Sequence, residues 1–158
     1  MINQTPSLIN SNVHEFFIFN RSGVCVFHID FSEKSIMNKA ISIDKLLEHR
    51  YKLIFGLLFS MKSFVKNLSP ARNVDLLKNF ATMDYKLHYV EFLNGLRFVL
   101  ITMPSKTDFT TQLKELFSIF YVNLITKSIY LNKDEAIKNE LFLEGVYNYL
   151  NSFNGTSL

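Results

Sequence analysis

The stretch Tyr51–Pro70, YKLIFGLLFSMKSFVKNLSP, decides the fold, because as a helix it is apolar around more than half of its circumference. At helical spacing most of its apolar residues form one broad stripe, while Phe55 and Phe59 lie beyond the edge of the stripe among lysines. One sheet cannot cover so much apolar surface. The predicted core stripe consists of Leu53, Ile54, Leu57, Leu58, Met61, Phe64, Val65 and Leu68.

The back of this helix carries short side chains at intervals that place them in one strip, namely Gly56, Ser60, Ser63 and Asn67. Another backbone could approach such a strip closely. The helix is therefore expected to have two neighbours. The second neighbour is either another part of a large domain or another chain, and the residues alone favour the two about equally.

The strands upstream of the helix read as a hairpin, His14–Asn20 and Val24–Phe31, closed by Asn20-Arg21-Ser22-Gly23. Alternation predicts one face with Phe17, Phe19, Cys25, Phe27, Ile29 and Phe31, and the other with Phe16, Ile18, Val24 and Val26. Because both faces are apolar, both must be covered. Residues 32–47 between this hairpin and the helix are polar and aperiodic, and are predicted to form a loop.

Downstream, a second sheet segment begins near Leu76 and includes the hairpin Tyr85–Leu93 and Leu96–Met103, joined by Asn94-Gly95. Two helices follow, from about Asp108 to Lys127 and from about Asp134. Their predicted core residues are Phe109, Leu113, Leu116, Phe117, Phe120 and Leu124, then Leu141, Phe142, Tyr147 and Leu150. The order predicts an α+β fold, a five-stranded antiparallel sheet between one helix and two C-terminal helices.

Composition narrows the class of protein. With 158 residues, 48% apolar content and a formal charge of +3, the chain reads as one globular domain. The single cysteine, Cys25, excludes an internal disulfide, and no signal peptide or membrane-length apolar run is apparent. Residues 50–106 hold nine basic and three acidic residues. Their scatter favours a solvated face or an acidic protein partner over nucleic acid.

The local residues resemble the longin-type small subunits of the TRAPP vesicle-tethering complex, particularly the smallest of them. The resemblance rests on Phe17-Ile18-Phe19-Asn20-Arg21-Ser22-Gly23-Val24-Cys25, on Tyr51-Lys52-Leu53 and Gly56-Leu57-Leu58-Phe59-Ser60, and on Ser63-Phe64-Val65. Further matches are Leu68-Ser69-Pro70, Tyr85-Lys86-Leu87-His88-Tyr89, Gly95 and Tyr121-Val122. It implies a longin/SNARE-like (profilin-like) fold over residues 14–153, with tails at 1–13 and 154–158.

This resemblance also implies a function. Such proteins pair with other longin and core subunits, and the assembled complex exchanges guanine nucleotide on a Rab GTPase of ER-to-Golgi transport. The chain is then a non-catalytic subunit without cofactor or metal, cytoplasmic and peripheral at ER and Golgi membranes, with membrane contact only through the complex and no nucleic-acid binding. Because its apolar helix is uncovered, the isolated chain is expected to be poorly soluble or to self-associate. The predicted partner surface comprises Phe55, Gly56, Phe59, Ser60, Lys62, Ser63 and Lys66 on the helix. A second candidate is the exposed backbone of the outer strand at Val24, Val26 and His28, because an unpaired strand edge invites pairing with another chain.

Alternatives are another longin module, such as an adaptor-complex small subunit, or less favoured, a small-molecule sensor domain. Catalytic motifs for phosphate binding, zinc proteolysis or serine hydrolysis are missing from the sequence. His14 and His28 with Asp30 could in principle hold a metal ion, although edge histidines of no catalytic role are about ten times more common. His88 reads as a partly buried, hydrogen-bonded histidine.

Overall fold

The protein is built around a five-stranded antiparallel sheet with strand order β2-β1-β5-β4-β3. The computed structural model describes residues 13–31, 45–70, 77–125 and 136–154. The strands are β1 Val13–Phe19, β2 Cys25–Asp30, β3 Asn79–Ala81, β4 Lys86–Glu91 and β5 Arg97–Thr102. The helices are α1 Lys45–Leu68, α2 Thr110–Leu116, which continues as a π-helix over Phe117–Ile125, and α3 Glu140–Asn151.

Each face of the sheet is covered by helices, as the two apolar faces require. Helix α1 packs on one face through Ile54, Leu58 and Val65, while α2, the π-helix and α3 cover the opposite face. The predicted arrangement of one helix on one side and two C-terminal helices on the other is confirmed. No helix within the described ranges combines the length and apolarity needed to cross a bilayer.

The first hairpin contains a β-bulge that changes the predicted faces of β2. Phe19 pairs with Cys25 and Ile18 pairs with Phe27, so Val26 is the extra residue on β2. Cys25 therefore lies on the α1 side, whereas Phe27 and Ile29 lie on the α3 side. The sequence prediction that Cys25, Phe27 and Ile29 share one face was wrong, because strict alternation cannot anticipate an inserted residue.

Helix α1 begins at Lys45, inside the predicted loop, and presents a different face to the sheet than the pattern suggested. Its sheet-facing apolar residues are Tyr51, Ile54, Phe55, Leu58, Met61 and Val65. Four residues assigned to the core stripe are exposed instead, with exposed fractions of 61% at Leu53, 42% at Leu57, 58% at Phe64 and 68% at Leu68. On α3, Leu141 is likewise exposed, at 66%.

Polar contacts at the first half of α1 hold the helix to the edge of the sheet. Arg50 donates to both carboxylate oxygens of Glu15, and His28 Nε2 donates to Glu15 Oε2 at 2.8 Å. The Tyr51 hydroxyl lies 2.9 Å from His28 Nδ1. Although burial alone would raise it, these hydrogen bonds and charges lower the pKa of Glu15 to about 2. The cluster fixes which side of α1 faces β1 and β2.

Two glycines close the hairpins, and their backbone conformation explains why glycine is needed. Gly23 ends the β1–β2 turn at φ +86° and Gly95 ends the β4–β5 turn at φ +85°. A side chain on Gly23 would strike the ring of Phe55 on α1, at 2.7 Å from its Cβ. The first turn therefore also determines how closely α1 approaches the end of the sheet.

A buried polar pair on β4 anchors the chain beneath α2. Lys86 Nζ donates to the carbonyls of Ser105 and Thr107, at 3.0 and 2.8 Å. His88 is 1% exposed. The Thr102 hydroxyl donates its proton to the Met103 carbonyl, so the Thr102 oxygen accepts a hydrogen bond from His88 Nε2 at 3.0 Å. Burial, together with the charge of Lys86, lowers the pKa of His88 to about 4. His88 is therefore a neutral core residue, more deeply buried than the sequence suggested.

Glu15→Gln is expected to lower the free energy of unfolding by about 1–3 kcal/mol at pH 7, because it removes charge-assisted hydrogen bonds to Arg50 and His28. The pKa of Glu15 in the fold, about 2, lies below its ordinary value of 4.5, so this stabilisation is present above pH 4.5 and disappears as pH falls toward 2. Urea unfolding at several pH values measures the difference. Glu48→Gln, which breaks the exposed Glu48–Lys52 pair, is the control. A pH-independent effect of Glu15→Gln would contradict the assignment.

Acid should destabilise the fold through His88, because its pKa in the fold lies below the ordinary value of 6.5 and the unfolded state binds the proton more tightly. Between pH 7 and pH 4.5 the contribution is about 2 kcal/mol. His88→Leu should reduce the acid dependence of chemical unfolding by that amount. Equal acid dependence in the wild type and in His88→Leu would refute this explanation.

Candidate partner interface

A groove with a volume of about 190 Å³ lies between the second half of α1 and the end of the sheet where β4 and β5 turn. We call it the α1 groove. Its apolar lining comes from both the helix and the sheet, and basic side chains stand around it. The lining residues are Phe55, Leu58, Phe59, Lys62, Ser63, Lys66, Tyr89 and Arg97.

One carboxylate organises the charges at this groove. Glu91 accepts from Lys62 and from the Tyr89 hydroxyl, the latter at 2.9 Å, and lies 3.7 Å from Arg97 Nη2. Partial burial acts to raise the pKa of Glu91, but Lys62 and the other partners lower it overall. Burial and the bond to Glu91 raise the pKa of Tyr89, so its hydroxyl stays protonated. The Glu91 carboxylate is therefore ionised, and its negative charge is compensated by Lys62 and Arg97 of the same chain.

Phe55 forms the inner wall of the groove and is held from several sides. The guanidinium of Arg97 lies over its ring, 5.1 Å from the centroid, and Phe19 packs against it at 5.9 Å. Gly23 lies against the same ring. The stacked cation and the close glycine contact fix the ring orientation, so Phe55 is half-buried rather than free.

Five of the predicted partner-contact residues meet in the α1 groove: Phe55, Phe59, Lys62, Ser63 and Lys66. Phe59 remains 65% exposed, as its position beyond the core stripe suggested. Gly56 and Ser60 are exposed farther around the helix, and a Cβ added to Gly56 would meet nothing within 4 Å. The helix residues therefore form an accessible surface, with Phe59 as its largest apolar member.

The predicted contact residues on the outer strand are less accessible than those on the helix. Val26 is 4% exposed and packs in the core beneath α3, on a side of the sheet that the bulge in β2 determines, so only its backbone at the strand edge is left for the predicted contact. The Val26 carbonyl accepts from the Ile137 amide at 2.7 Å, which occupies part of this edge. His28 stacks on Phe17 and is engaged by Glu15 and Tyr51. Only Val24, 47% exposed, is accessible.

The structure does not bring together the residues considered for metal binding. His14 is exposed at an irregular position of β1, whereas the ring of His28 bonds to Glu15 and Tyr51. Within the described residues no group of three or more His, Cys, Asp or Glu side chains is placed to hold a metal ion. Burial raises the pKa of the Cys25 thiol to about 12 and that of the Tyr51 hydroxyl to about 12. Neither group is a ready nucleophile at neutral pH.

Sequence reasoning missed the sheet residues of the groove and a second apolar surface on α1. Tyr89 and Arg97 come from β4 and β5, and no local pattern indicated that their side chains would meet α1. The second surface, which we call the outer stripe, consists of Leu53, Leu57, Phe64 and Leu68. Their intervals of four and seven residues were the available signal, since this spacing is typical of one helix packing on another.

Comparison with known proteins shows which family the chain is related to. The model of the Sybindin-like family matches residues 13–153. Trafficking protein particle complex subunit 1 of Homo sapiens is 34% identical over 140 residues, covering 89% of this chain and 92% of the relative. The protein of the same name from Dictyostelium discoideum is 29% identical over 140 residues, covering 87% and 94%.

A relative with lower sequence identity is also a trafficking protein particle complex subunit. Trafficking protein particle complex subunit BET5 of Saccharomyces cerevisiae is 26% identical over 133 residues, covering 84% of this chain and 83% of that protein. In each comparison the similarity thus extends over most of this chain and most of the relative. The family match covers the sheet, α1 and the C-terminal helices together. This chain belongs to the Sybindin-like family.

Proposed function

We propose that this chain is a non-catalytic subunit of a TRAPP-like tethering complex in ER-to-Golgi vesicle transport. The observation that carries the proposal is the concentration of exposed large apolar residues on α1, in a chain whose relatives are named as trafficking particle subunits. The same relatives favour this assignment over an adaptor-complex small subunit. A subunit of an assembly is expected to expose an apolar surface until its neighbours bind.

The energetics of α1 support assembly. Phe59 on one side of the helix and Leu53 and Phe64 on the other are each more than half exposed. Full burial of one such side chain contributes about 1.5–3 kcal/mol, so covering either side with another protein would stabilise the complex substantially. Because the sheet already covers another side of α1, all of the large apolar side chains of the helix would then be covered. This arrangement accounts for a helix that is apolar around more than half of its circumference.

Finer parts of the proposal follow from the family resemblance. The partners are other longin-type and core subunits, and the assembled complex acts as the exchange factor for a Rab GTPase. The chain itself supplies surface and geometry rather than reacting groups. It would work in the cytoplasm at the periphery of ER and Golgi membranes, reaching the bilayer through the complex.

Phe59→Asp is expected to abolish assembly while leaving the monomer folded, because Phe59 is 65% exposed and contributes little to its own core. Co-expression with the other subunits of the complex, followed by size-exclusion chromatography, measures assembly, and release of labelled GDP from the Rab GTPase measures exchange. Ser60→Arg should have the same effect. Leu141→Asp is a matched control, since Leu141 is 66% exposed on α3, on the opposite face of the sheet.

Unfolding of Phe59→Asp in isolation would show instead that this residue belongs to the chain's own core. If Phe59→Asp assembles normally, the groove side of α1 is not part of the interface. Failure of the wild-type chain to enter any complex with these subunits would overturn the proposed function itself. Assembly without a contribution to exchange would leave tethering as the function and remove the exchange component.

The isolated wild-type chain is expected to self-associate through the outer stripe, because its exposed leucines are at helix-packing spacing. Leu53→Lys combined with Leu57→Lys should give a monomer in sedimentation velocity experiments, at concentrations where the wild type shows faster, concentration-dependent boundaries. Leu141→Lys should not change wild-type behaviour. A wild-type chain that is strictly monomeric over this range would contradict the prediction.

A further inference from the structure

We infer that the α1 groove binds a partner segment in which one large apolar side chain is flanked by acidic residues. This inference rests on the proposed function and specifies the chemistry of the partner at one surface. It is based on the shape of the groove, its apolar floor and the imbalance of charge around it. None of these features follows from the family relationship alone.

The floor and size of the groove suit a single side chain. The apolar surface of the groove comes from Phe55, Leu58, Phe59 and Tyr89. The ring of Phe55 contacts Arg97 and Gly23, which hold it in place. The groove volume of about 190 Å³ is smaller than the roughly 300–1,000 Å³ typical of small-molecule sites. A partly apolar depression of this size has room for one aromatic or aliphatic anchor of a partner protein, and such anchors dominate the energetics of many interfaces.

The charges around the groove select an acidic neighbour for that anchor. Lys62, Lys66 and Arg97 contribute three positive charges to the lining, and Glu91 beside them contributes one negative charge. Lys62 and Arg97 share Glu91, whereas Lys66 forms no ion pair with a carboxylate of the described residues. A carboxylate entering with the anchor would therefore meet a net positive surface.

A protein segment fits these observations better than an anionic membrane. The apolar lining belongs to a groove between a helix and a sheet, and a single protruding side chain fits a groove better than a flat lipid surface does. With three cations and one carboxylate, the groove carries a small net positive charge, which one or two carboxylates near Lys66 would balance and a dense layer of lipid phosphates would exceed. The occupant is therefore an extended or helical protein segment with both features.

The test is a charge series at Lys66, measured as the affinity of the chain for the assembled partner subunits. Lys66→Glu should weaken binding at least tenfold, and Lys66→Met, which keeps the aliphatic contact, should weaken it about threefold and flatten its salt dependence. Lys114→Glu, the same change at an exposed position of α2, should bind like wild type. Circular dichroism and chemical unfolding of each variant establish that it is folded.

A crosslinking experiment identifies the occupant directly. A photo-reactive benzoylphenylalanine in place of Ser63, which lines the groove and is exposed, should crosslink within the complex to a peptide carrying Asp or Glu beside a large apolar residue. A crosslinked peptide without acidic residues would overturn the inference. So would binding to phosphatidylserine vesicles in flotation that is lost in Lys66→Glu, because the occupant would then be a membrane.

The outcomes separate this inference from the proposed function. If the wild-type chain assembles and Phe59→Asp does not, but Lys66→Glu binds as tightly as wild type, the subunit role stands and the acidic segment is refuted. If the wild-type chain binds none of the partner subunits, the proposed function fails and the inference fails with it.

Discussion

The rotation of α1 about its own axis is the constraint on which the accessible surface of this protein depends. The helix is apolar around most of its circumference, so hydrophobic burial alone would allow several faces to meet the sheet. Arg50 and Tyr51 engage Glu15 and His28 at one end, and Lys62 engages Glu91 farther along. Polar contacts are directional, and they select one rotation among those that burial would accept.

This selection creates two different surfaces on one helix. On one side, Phe59 and the lysines border the α1 groove beside β4 and β5. On the other side, the outer stripe presents leucines and a phenylalanine to solvent. On the opposite face of the sheet, Phe98 packs edge-on against Phe16 and Phe142 packs edge-on against Phe27, within the core that buries the interior sides of α2 and α3. Exposed large apolar side chains are therefore more concentrated on α1 than on the helices of the opposite face.

A role in assembly connects these surfaces to function. Reacting groups that might suggest chemistry, such as Cys25, Tyr51 and His88, are instead masked by burial or held in structural hydrogen bonds. The groove and the stripe lie on the same helix but face different directions, so two neighbours could bind α1 at once. A short protein of this kind can link subunits on two sides while its own core remains intact.

Much of the fold could be predicted from the sequence alone: the two hairpins with Gly23 and Gly95, the helix order, the sheet covered on both faces and the exposure of Phe59. These follow from local periodicity and turn chemistry, which are properties of neighbouring residues. The bulge at Val26, the exposure of Leu53 and the meeting of Tyr89 and Arg97 with Phe55 could not be predicted this way. The bulge is a detail of strand pairing that strict alternation does not encode. The exposure of Leu53 and the contacts of Tyr89 and Arg97 depend on segments distant in sequence, which only the tertiary structure brings together.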